Sequence, residues 1–105
     1  MNFISQTIGK AKRLIVFGVG RYLKNRYNEF MRIIDDDIII CYMDNSVGTI
    51  MDYKGKEIVN PRLVVNYTYD VVLLMSVSAE SMRAQLLELG VEDRKIWSWK
   101  RKYIT

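Results

Sequence analysis

Histidine is missing from all 105 residues, and cysteine and proline occur once each, as Cys41 and Pro61. Without histidine, the chain lacks the side chain that most often serves as general base, proton shuttle and metal ligand near neutral pH. One cysteine excludes an internal disulfide. Its place inside the apolar run 38–43 suits a buried thiol in a reducing compartment, so a cytoplasmic protein is expected. Runs such as 38–43 are also far too short to cross a bilayer. Residues 1–5 carry no basic segment leading into an apolar one, so no signal peptide is expected.

Catalytic pairs are scarce as well. A tyrosine activated by a lysine four residues later occurs at none of the seven tyrosines. No activated serine or cysteine stands beside a base, and the run Asp35-Asp36-Asp37 reads as a solvated connector. Basic residues exceed acidic ones by 16 to 12, a net charge of +4, with stretches at 10–13, 21–26 and 94–102. No recognition motif accompanies this charge, so we read it as solvated surface and expect no nucleic-acid partner.

What remains is an ordinary globular composition, half apolar and 27% charged, in a chain of one-domain length. We expect a single domain over 1–105, with a short helix in 1–11 and a basic tail or linker over 100–105. Residues 14–17 (Leu-Ile-Val-Phe) read as a strand buried on both faces and stopped by Gly18-Val19-Gly20. Next, Leu23, Tyr27, Phe30, Met31 and Ile34 share one face of a helix. Strands follow at 38–43, 57–59, 71–75 and 95–98, and residues 46–56 read as loop. Asn60-Pro61 signals a short helix, and a longer one spans 79–89, capped by Ser78 and stopped by Gly90. This alternation predicts an α/β fold: a Rossmann-like three-layer sandwich on a parallel sheet of about five strands, in the order 3-2-1-4-5.

In such sheets, ligands bind beyond the carboxyl ends of the strands where the strand order reverses. Gly18 and Gly20 stand at that point, ahead of a helix N-terminus that offers free N–H groups to a phosphate. Arg21 adds charge. Asp44, ending the second strand, stands where an acid accepts from ribose hydroxyls, and Ser76 faces the same crevice. The candidate binding set is Gly18, Val19, Gly20, Arg21, Tyr22, Asp44, Asn45 and Ser76. Leu23 stands where the G-x-G-x-x-G fingerprint has its third glycine, and a leucine there either holds the helix off or turns into the core.

The segments Val16-Phe17-Gly18-Val19-Gly20-Arg21-Tyr22, Cys41-Tyr42-Met43-Asp44-Asn45, Ile58-Val59-Asn60-Pro61, Asp70-Val71-Val72-Leu73 and Leu89-Gly90-Val91, together with Gly55, carry a resemblance. Over 12–99 the chain resembles the small Rossmann-like, nucleoside-diphosphate-sugar epimerase-like domains of bacterial surface-polysaccharide enzymes, whose members commonly have glycine where Leu23 stands. The resemblance implies a nucleotide, nucleotide-sugar or NAD(P) ligand at Gly18, Gly20, Arg21 and Asp44. It also implies an accessory domain of carbohydrate biosynthesis, not catalytic alone, beside a partner enzyme domain. The second reading is a protein-interaction module with a degenerate pocket, prone to self-association, motivated by Leu23 and an outward-facing Trp99.

Overall fold

The computed structural model describes residues 11–47 and 51–99. The expected N-terminal helix and the 100–105 tail lie outside the described residues. β1 (Leu14–Phe17) is buried throughout and pairs in parallel with β2 (Ile39–Met43) on one side and β5 (Val71–Leu74) on the other. Its side chains alternate between two cores: Leu14 and Val16 enter one, Ile15 and Phe17 the other. This two-sided burial explains an unbroken run of branched and aromatic residues in place of an alternating pattern.

α1 (Arg21–Ile33) brings Leu23 and Phe30 to the first core, and α2 (Ala79–Glu88) brings Ala79, Met82 and Leu86 to the second. The two helices therefore lie on opposite faces of β1. α2 stops where Gly90 turns left-handed at φ 94°, with Gly90 N–H donating to Leu87 O and Val91 N–H to Leu86 O. Such paired bonds satisfy the last carbonyls of a helix. Where the chain enters β1, Asp70 accepts the N–H groups of Lys12 and Arg13, and its own N–H donates to Arg13 O.

The sheet has six strands where five were expected. Its order, β3-β4-β2-β1-β5-β6, with β4 at Lys56–Val59 and β6 at Ile96–Ser98, differs from the expected one by an added edge strand. That strand, β3 (Met51–Tyr53), lies inside the expected 46–56 loop and pairs antiparallel with β4, while the other neighbours pair in parallel. Lys54 and Gly55, at φ 53° and 81°, form the two-residue turn between them. Positive φ at both positions matches the right-handed twist of a hairpin.

Smaller differences follow local chemistry. The acidic run forms a 3₁₀ turn at Asp36–Ile38, capped when Asp35 Oδ1 accepts Asp37 N–H. Asn60 caps the 3₁₀ helix Pro61–Asn66 through Arg62 N–H, as the Asn-Pro signal implies. Ser78 makes no side-chain cap to α2, and its backbone N–H donates to Ser76 Oγ at 3.0 Å. Trp99 is not outward-facing: it is fully buried and meets Phe30 edge to face at 5.7 Å. Among the described residues, no helix is long and apolar enough to cross a membrane.

Candidate functional site

Beyond the carboxyl ends of β1, β2 and β5, the chain leaves β1 at Gly18, β2 at Asp44 and β5 at Met75, and a cleft of about 500 Å³ opens between these exits. That volume falls within the range of small-ligand sites, roughly 300–1,000 Å³. Of the candidate binding set, Gly18, Gly20, Arg21, Tyr22, Asp44, Asn45 and Ser76 line it. Val19 does not: its side chain packs toward the first core.

The two loop glycines do different work. Gly18 sits at φ 112°, and a Cβ there would lie 2.5 Å from the carbonyl oxygen of Met75. Glycine is needed there so that β1 can turn beneath β5. Gly20 has an ordinary φ of −94°, and a Cβ added to it would meet nothing within 4 Å. The space above Gly20 is open, which lets a ligand approach the backbone closely. Leu23 leaves that space clear, because its side chain is fully buried in the first core and contributes nothing to the cleft lining.

Two helices begin at this cleft, and neither carries a side-chain cap or, in α1, an acid in the first turn. The first N–H groups of a helix have no intrahelical partner and carry partial positive charge. Arg21 stands exposed at the mouth with no ion pair among the described residues. Tyr22 is held by Arg26, whose guanidinium lies 3.6 Å over the ring centroid and donates to Tyr22 O at 3.1 Å. On the opposite wall, Ser76 Oγ accepts Ser78 N–H and keeps its own proton to donate.

Asp44 is engaged within the protein. Its Oδ2 accepts Val19 N–H at 3.0 Å, and its Oδ1 accepts both the N–H and the hydroxyl of Ser46. Burial pushes its pKa up. The hydrogen bonds from the Ser46 hydroxyl, Val19 and the Ser46 N–H outweigh this and hold the carboxyl below its ordinary value. Next to it, Asn45 and Gln85 exchange a reciprocal pair of amide hydrogen bonds at 3.0 and 2.7 Å, tying the loop after β2 to α2.

Residues 10–97 match the family described as C2185-like, N-terminal, a stretch that takes in every described strand except the end of β6 and the whole of the cleft. The chain belongs to the C2185-like, N-terminal family. No curated protein matches it.

In this C2185-like domain, sequence reasoning reached the far wall only at Ser76. Val77, Ser78, Ser81 and Met82 line the cleft because α2 starts there, and Val77 stands 82% exposed at the rim. The signal was present in Ser76-Val77-Ser78, read as a turn with a cap. Cys41, by contrast, has no place in the site: it is buried on β2, and that burial, with Glu57 nearby, pushes its thiol up to about 12. Among the described residues, no three His, Cys, Asp or Glu side chains converge as a metal site.

Proposed function

We propose that this domain is a Rossmann-like, three-layer α/β module that binds a nucleotide-type ligand by its diphosphate in the cleft at Gly20. One observation carries the reading. The open space above Gly20 lies where α1 begins without a side-chain cap, with Arg21 beside it and the start of α2 opposite. Oriented N–H groups and one unpaired guanidinium favour an anion of phosphate geometry. In this reading the domain holds a ligand while a partner enzyme domain does the chemistry. The resemblance noted above extends the ligand to a nucleotide sugar, and the setting to carbohydrate or polysaccharide biosynthesis in the bacterial cytoplasm. The description of the family as an N-terminal region suits an accessory domain working beside another.

The interaction-module reading rested on Leu23 and Trp99, and both side chains lie in the core. It retains no specific support.

Thermal denaturation against UDP, UDP-sugars, CDP, NAD, NADP, S-adenosylmethionine and coenzyme A tests the proposal. A ligand at a hundred times its dissociation constant adds about 2.7 kcal/mol, a shift of several degrees in a domain of this size. We expect a shift with one nucleotide class, and its loss in Gly20→Asp, whose unliganded stability stays close to the parent's. Unchanged affinity in that variant removes the loop as the site, and no shift with any compound removes the proposal.

A further inference from the structure

Asp44 occupies the position from which a strand-end acid reaches a ribose, yet its oxygens are already engaged within the protein. A carboxylate has about four acceptor positions. Three are filled here: two on Oδ1 by the N–H and hydroxyl of Ser46, and one on Oδ2 by Val19 N–H. A ribose diol bound to one carboxylate donates two hydrogen bonds, and only one position is left. The Val19 bond also has a structural purpose. Val19 lies between the positive-φ Gly18 and the open Gly20, with its side chain drawn to the first core. Tethering its N–H to β2's end fixes the loop backbone from which Gly20 and Arg21 face the cleft. The same end of β2 is tied to α2 by the Asn45–Gln85 amide pair, so the clamp is anchored on both sides of the cleft.

We infer that the cleft selects its ligand by the diphosphate and leaves the ribose diol unread, because Asp44 is a positioning residue that clamps the glycine loop through Val19. This rests on the nucleotide-binding reading above and narrows it: deoxy and dideoxy nucleoside diphosphates belong to the same ligand class as their ribose parents.

The test is calorimetric titration of the wild-type protein, Asp44→Ala and Asp44→Asn with inorganic pyrophosphate, UDP, ADP and the 2′,3′-dideoxy counterparts of both nucleotides. In the wild type, each dideoxy compound is expected to bind within about twofold of its parent, a difference smaller than one hydrogen bond to a charged group produces. Asp44→Ala should weaken parent, dideoxy compound and pyrophosphate by one common factor. Asp44→Asn, whose carbonyl oxygen still accepts an N–H, should recover part of that loss. Amide hydrogen exchange at Val19 supplies a readout independent of ligand: protected in the wild type, faster in Asp44→Ala. A dideoxy compound binding roughly tenfold or more weakly than its parent to the wild type overturns the inference while leaving the diphosphate site in place. An unprotected Val19 amide in the wild type also overturns it. If no nucleoside diphosphate and no pyrophosphate binds, the inference and the nucleotide-binding reading fall together.

Discussion

A methyl group at Gly18 would meet the Met75 carbonyl at 2.5 Å on a backbone at φ 112°, whereas one at Gly20 would meet nothing. Gly18→Ala is therefore expected to cost about 2–4 kcal/mol, combining left-handed strain with displacement of a backbone atom. Gly20→Ala should leave the melting temperature within a few degrees of the parent's. Equal losses at both positions, measured by chemical denaturation, contradict this division of roles. Asp44 adds a pH dependence. Its folded pKa lies below its ordinary value of 3.8, so the unfolded state binds more protons in acid. The stability it contributes is complete above that value and is lost as pH falls through the folded pKa. Asp44→Asn should flatten part of the acid limb of the stability curve, leaving the share due to Asp70, whose carboxyl is also held low by the Lys12 N–H. Cys41 acts in the opposite range. Its thiol stays protonated to about 12 in the fold against 9.0 otherwise, so stability falls as pH rises through that window. Cys41→Ala should flatten part of that alkaline slope, leaving the share due to Tyr42, Tyr53, Tyr67 and Tyr69, whose hydroxyls burial also pushes up. The native thiol should resist alkylation until the chain unfolds.

At the scale of elements, Trp99 decides between two uses of the last strand. Its full burial against Phe30 makes Trp99→Ala a core truncation costing about 3–5 kcal/mol, with no change in self-association. A variant of unchanged stability but altered sedimentation would place it at an interface instead. How much was legible in the sequence follows from how each element is buried. β1, β2 and β5 were readable because strands enclosed on both faces need continuous apolar runs, which few other structures produce. β3 was not, because Met51 and Asp52 are exposed and carry no alternating pattern. Its turn also uses Lys54, where asparagine or aspartate is the usual signal. Trp97 and Trp99 follow the strand period and share a face, both packing toward the core that holds Phe30. Sequence alone does not say how far α1 extends over that edge. In the cleft, the position of Asp44 could be read but its long-range partner could not: the hydrogen bond from Val19 depends on where two loops meet in space, whereas those from Ser46 are local to one turn. Leu23 was ambiguous for the same reason, and only the packing of α1 against the sheet turned it inward.

For the whole molecule, the sheet collects the carboxyl ends of β1, β2 and β5 and starts α1 and α2 above them on opposite faces, so the candidate cleft is a product of topology more than of any one motif. Stability and binding should therefore separate: residues that face the open cleft move affinity, and residues behind it move the fold. The most direct measurement is a ¹⁵N-amide titration of the native protein with the nucleoside diphosphate that raises its melting temperature most. The account predicts that the largest shifts fall at Gly20, Arg21 and Tyr22, with a second group at Ser76, Val77 and Ser78. Shifts confined to the β3–β4 hairpin or the β6 edge, or none at saturating ligand, would contradict it.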